Sequence, residues 1–120
     1  MSIAYWCVFI ACVLPYVFTI IAKSSSEFSN KRPREYLENC QGFRKRAHYA
    51  QLNGFETLPF FIASILISYK HTAPEQIDTL AMAFIAARIL HGLCYVFDLA
   101  LLRTVFFTVG FICCTKLILP

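Results

Sequence analysis

The sequence predicts an all-α integral membrane four-helix bundle, folded as a single domain over residues 1–120. Three observations predict it. Hydrophobic residues make up 58% of the chain and charged residues 15%, with a mean hydropathy of +0.60. That is more apolar surface than the core of so short a soluble domain absorbs. Ile3 to Ala22 runs 20 residues without a charge, about the length that crosses a bilayer. Polar residues in the later apolar stretches recur at helical spacing on one face, so they line a bundle interior rather than lipid.

The first helix covers 3–22. A cleaved signal peptide is the competing reading, but it wants a basic start and a shorter apolar stretch, and here the positive charge follows the run. Pro15 kinks this helix, which a membrane bundle tolerates. Residues 23–42 form a polar loop with Pro33 and Gly42 as breakers and a short helical piece around Arg34 to Cys40. The second helix covers 43–69 and stops at Lys70 and His71. Pro74, followed by Glu75 and Asp78, opens a third over 75–98. The fourth covers 104–119, with Lys116 snorkelling outward. No Gly, Pro or Asn marks the turn from Leu99 to Arg103.

Charge is distributed unevenly. Seven of the eleven Lys and Arg lie between Lys23 and Arg46. They are interleaved with Glu27, Glu35 and Glu38 and lack the aromatic ladder of a single-strand binder, so nucleic acid is not expected as a partner. A basic loop of this kind orients membrane spans. It places 23–42 in the cytoplasm and both termini on the opposite side. The six cysteines have no spacing of a metal site, and none is expected to bind metal. Five of them lie in apolar runs, where a thiol acts as a small hydrophobe.

The second helix poses the useful problem. Its purely apolar part, Leu58 to Tyr69, covers only about 18 Å at about 1.5 Å per residue, against a hydrocarbon core about 30 Å thick. The stretch holding Asn53 and Glu56 therefore enters the membrane or rises above it as helix. Arg46, Tyr49, Asn53 and Glu56 fall within roughly an 80° arc at about 100° per residue. Arg88, His91, Tyr95 and Asp98 repeat the pattern on the third helix. Arg88 has long apolar flanks, and a charge at mid-helix costs about 2.5–3.5 kcal/mol on insertion scales. It needs a partner or a polar ligand. Either Arg88 pairs with Glu56 and the stripes only hold the bundle together, or the stripes form a site. His48 and His71 lie outside them.

These residues carry a family resemblance that covers nearly the whole chain. Asn30-Lys-Arg-Pro-Arg-Glu35, then Phe43-Arg-Lys-Arg-Ala-His-Tyr-Ala-Gln-Leu-Asn-Gly-Phe-Glu56 and Pro59, resemble the bacterial branch of the MAPEG family, the membrane-associated proteins in eicosanoid and glutathione metabolism. Asn53-x-x-Glu56 is similar to part of that family's glutathione site, and Arg88-x-x-His91-x-x-x-Tyr95 resembles the motif of its prostaglandin E synthases. Arg103 sits near the family's thiol-activating arginine. There are two departures. Tyr49 stands where the eicosanoid enzymes usually carry Arg, and the spacing from Tyr95 to Arg103 is one residue short.

The resemblance implies a homotrimer in a bacterial inner membrane, with glutathione between subunits near the cytoplasmic face. Arg46 and Arg88, with Arg44, would hold its carboxylates as bidentate forks, and Glu56 its ammonium. Asn53 would follow the peptide backbone, and His91 and Tyr95 would complete the binding face. Arg103 would be the catalytic residue, stabilising the thiolate; a unit charge about 4 Å away is worth up to about 4 kcal/mol at an effective dielectric near 20. The implied function is a glutathione-dependent transferase or peroxidase acting on lipophilic small molecules that arrive through membrane lipids. The same fold also serves as a non-enzymatic lipid-binding scaffold, which Tyr49 favours. A small transporter would need a continuous polar path, and both stripes stop near mid-membrane.

Overall fold

The computed structural model describes residues 1–120 as five helices: α1 (Ile3–Ala22), α2 (Pro33–Asn39), α3 (Gly42–Ser68), α4 (Pro74–Val96) and α5 (Ala100–Ile118). All but α2 are long and apolar enough to cross a membrane. α3 has 27 residues, about 40 Å of helix, which exceeds the hydrocarbon core by about 10 Å. The surplus is its basic end, Arg44 to Arg46.

α3 and α4 form the centre, and each packs on both α1 and α5; α2 rests on α3. The largest apolar core lies in the half of the bundle away from the basic loop. Ala4, Cys7, Phe61, Ile65, Ile77 and Leu117 are among its members, and the rings of Phe61 and Phe84 stack with centroids 4.0 Å apart. Ser64 and Ser68 are fully buried there. Each returns its hydroxyl to its own helix, donating to Phe60 O and Ile65 O at 2.7 Å, so neither needs water. The loop-side half holds only a small cluster, Ala22, Leu37 and Ala47. The interior there is left to polar groups.

The helix ends show how the bundle is oriented in its solvent. Ser2 accepts from Tyr5 N, and Asp78 on α4 accepts from Ala4 N at 2.9 Å, so two otherwise unpaired amides of α1 are satisfied. Tyr5 and Tyr69 pair at this end with centroids 5.6 Å apart, and the exposed Trp6 packs edge-on against Phe9 one turn further into α1. This is the composition of an interfacial belt. Tyr49 lies about 30 Å from Tyr69 along α3, the thickness of the hydrocarbon core. At the loop end, Tyr36 donates to Ala22 O at 2.9 Å and closes α1.

Two glycines set the position of α1. A Cβ on Gly54 would come within 2.8 Å of Pro15 Cγ, and one on Gly92 would run into the Phe18 ring. The middle of α1, around Pro15 and Phe18, is thus notched into α3 and α4, within one turn of Arg88 and His91.

The turn between α4 and α5 corrects the sequence reading. α4 ends at Val96, so Asp98 is not the last member of a helical stripe, and α5 starts at Ala100 rather than Thr104. Asp98 adopts φ 61°, its amide donates to Tyr95 O at 3.2 Å, and Leu99 N donates to Cys94 O at 2.8 Å. This is a Schellman close with Asp in the left-handed position that glycine usually takes. Asp tolerates it better than most residues.

Candidate functional site

An open cleft of about 170 Å³ lies between α3, α4 and α5, lined by Asn53, His91, Tyr95, Arg103, Thr104 and Phe107. From Tyr49, Asn53 lies about 6 Å along α3, so the cleft opens in the loop-side half of the bundle.

Arg88 does not line this cleft and reaches it only through Asn53. It is 6% exposed, about 12 Å along α4 from the helix end at Val96, and its Nη2 donates to Asn53 Oδ1 at 2.8 Å. Because a guanidinium only donates, that bond fixes which end of the amide is oxygen. The Asn53 Nδ2 hydrogens have no acceptor within the chain. The pairing of Arg88 with Glu56 considered from sequence is not formed. Glu56 is exposed and makes no ion pair.

His91 is 3% exposed, and its Nδ1 is buried without a hydrogen-bond partner. A buried polar atom left alone in this way costs stability and calls for a reason. Its ring stands edge-on to Tyr95, with centroids 5.6 Å apart, and lies 6.0 Å from Phe107.

Arg103 is in the first turn of α5, near the positive end of that helix. Its guanidinium carbon sits 4.4 Å over the centroid of the Tyr95 ring. The early start of α5 places Arg103 and Phe107 four apart on one helical face, both toward the cleft. The tight Asp98 turn therefore absorbs the short spacing between Tyr95 and Arg103. Neither Arg88 nor Arg103 has a carboxylate partner; the one ion pair in the chain joins Arg32 and Glu35 at 3.9 Å on the exposed loop.

The remaining expected site residues lie elsewhere. Arg46 Nε donates to Val96 O at 3.1 Å, so Arg46 closes the C-terminus of α4. Arg44 is bound to Ser24 through Nε and Nη2 at 3.3 and 3.2 Å. Tyr49 is exposed beside the cleft, its ring 6.3 Å from that of Tyr95. Thr104 and Phe107 line the cleft and were not foreseen. Their signal depends on where α5 begins, and no residue in the turn announces that in sequence.

Asn53 Nδ2, the Arg103 guanidinium and the Tyr95 hydroxyl offer donors, and the chain brings no carboxylate into the cleft. Such a lining takes an anion, and Phe107 adds an apolar wall. A model of the MAPEG family matches residues 3–119 of the chain. No curated protein and no solved structure matches it significantly.

Proposed function

The chain belongs to the MAPEG family, integral membrane proteins of eicosanoid and glutathione metabolism, and on that premise we propose that it is a glutathione-dependent transferase that conjugates or reduces lipophilic electrophiles. The observation that carries this reading is the convergence of Asn53, His91, Tyr95 and Arg103 in one donor-lined cleft. Arg103, which has no carboxylate partner, fits a thiolate in that cleft.

When bound, glutathione supplies a sulfur nucleophile. The chain's own residues do the rest. Arg103, near the positive end of α5, favours the thiolate over the thiol. Asn53 Nδ2 donates to a peptide carbonyl, its orientation held by Arg88. Arg88 acts through Asn53, His91 forms part of the cleft wall, and Tyr95 offers its hydroxyl. Phe107 borders the cleft on the side from which a lipid-soluble substrate arrives. Arg46 contributes by holding the end of α4 rather than by contact.

Glu56 supports the assembly. It lies about 10 Å along α3 from Tyr49, exposed on a single chain, where a carboxylate facing lipid is costly. A homotrimer in which a neighbouring subunit covers Glu56 meets that cost and brings a carboxylate to the ligand's ammonium across the interface. The basic loop 23–42 is read as cytoplasmic and both termini as lying opposite, in a bacterial inner membrane.

The reading is tested by thermal unfolding in detergent with and without glutathione, followed by turnover of a chloro-nitro-aromatic electrophile. Glutathione raises the midpoint of the wild type. Arg103→Ala retains that protection and loses turnover; full turnover in Arg103→Ala removes Arg103 from catalysis. One observation favours a second reading, a lipid-binding scaffold: within a single chain, Arg46 and Glu56 do not line the cleft. It predicts bound lipid and no protection by glutathione.

A further inference from the structure

Tyr49 lies outside the cleft, yet it belongs to a continuous stack that ends at the cleft's cation. Lys45 Nζ sits 5.4 Å over the Tyr49 ring. The Tyr49 and Tyr95 rings are 6.3 Å apart and tilted by 47°, within the range of a favourable aromatic pair. Arg103 lies 4.4 Å over Tyr95. The stack crosses from α3 to α4 to α5. It is also anchored to α2, because Lys45 Nζ donates to Leu37 O at 3.0 Å and to Glu38 O.

From this geometry we infer that Tyr49 is a positioning residue that steadies the Tyr95 ring and, through it, the Arg103 guanidinium beside the cleft. The inference rests on the glutathione reading for its consequence, but the stack itself does not. An arginine side chain has many rotamers to lose, and Arg103 has no carboxylate to hold it. Its hold is the face of Tyr95. That ring is bordered by His91 at 5.6 Å, edge-on, and by Tyr49. Removing the Tyr49 ring frees Tyr95 on the loop side and lets Arg103 leave the position in which it faces the cleft. The hydroxyl of Tyr49 makes no hydrogen bond in the structure and the ring face does the stacking, so phenylalanine serves as well as tyrosine. Lys45 and α2 extend the stack into the loop, which ties the order of that loop to the site.

The test uses the full chain in detergent and compares Tyr49→Phe with Tyr49→Leu. Tyr49→Leu keeps an apolar side chain at a half-open position, and far-ultraviolet circular dichroism verifies its fold. The first readout needs no glutathione. The Arg103 Nε–H resonance, assigned by its loss in Arg103→Lys, is displaced by the ring current of Tyr95. Tyr49→Leu moves it toward the position of an exposed arginine, and Tyr49→Phe does not. A resonance unmoved by Tyr49→Leu overturns the proposal whether or not glutathione binds. The second readout is the ultraviolet absorbance of bound thiolate at neutral pH. It falls about three- to tenfold in Tyr49→Leu, the size of a lost stacking contact, and recovers in Tyr49→Phe, while thermal protection by glutathione is kept. Equal loss in both variants also overturns it. Absent protection in the wild type counts against the glutathione reading alone, since the resonance still decides the stack.

Discussion

Arg88 donates to one acceptor in the structure, Asn53 Oδ1, although a guanidinium carries several N–H groups. Hydrogen bonds to charged groups are worth about 1.5–3 kcal/mol, so Asn53→Leu should lower stability by about that amount. Replacing both partners, Asn53→Leu with Arg88→Met, should restore most of the loss, because an apolar pair of similar volume replaces a buried charge. Chemical unfolding in detergent measures both effects. Neither protein should gain stability from added glutathione, and a protected double variant would place the ligand away from Asn53. The sequence showed that Arg88 needed a partner. It did not show which one, because Asn53 and Glu56 lie on the same helix within one turn, and only the rotation of α3 against α4 chooses between them.

At the scale of elements, the Asp98 turn decides where α5 begins. Asp98 at φ 61° holds a conformation that glycine adopts without penalty. Asp98→Gly should therefore raise stability by roughly 0.5–1 kcal/mol, and Asp98→Val should lower it by at least about 1 kcal/mol. Inserting a single glycine after Asp98 would turn Arg103 by about 100° around α5; turnover should collapse while the fold persists. The notch of α1 gives a second test. Gly92→Ala should cost about 1–3 kcal/mol through its collision with the Phe18 ring, and Gly92→Ala with Phe18→Leu should recover part of it. Thermal midpoints of the three proteins provide the comparison. Helix lengths were legible in sequence because uncharged runs and flanking charge mark them. The α4–α5 boundary was not, because an aspartate in a left-handed turn looks like any other aspartate.

For the whole molecule, the outward carboxylate of Glu56 is the decisive feature. On a single chain in lipid, Glu56→Leu would be stabilising, since it removes a costly exposed charge. In an assembly that covers Glu56, the same change should weaken association and reduce glutathione protection together. Light scattering in detergent reads the assembly, and a larger, unaltered oligomer with full protection would show that Glu56 serves neither role. The packing agrees with a division of labour along the membrane normal. Apolar side chains fill the half away from the loop, and polar groups occupy the loop-side half, where the cleft opens.

Sequence alone determined that this chain crosses a membrane by four helices and that Arg88 and His91 are buried within them. Both follow from local facts, the length of apolar runs and the period of polar residues, because a bilayer gives backbone and charge no other partner. It also showed that Asn53, Tyr95 and Arg103 were candidates. Only the tertiary structure decided that these meet in one cleft with Thr104 and Phe107, that Arg46 closes a helix, and that Glu56 faces outward. Those outcomes depend on how far each helix is rotated about its axis. That rotation follows from contacts between residues distant in the chain, the two glycine notches among them, together with one left-handed turn at Asp98, not from the composition of any single segment.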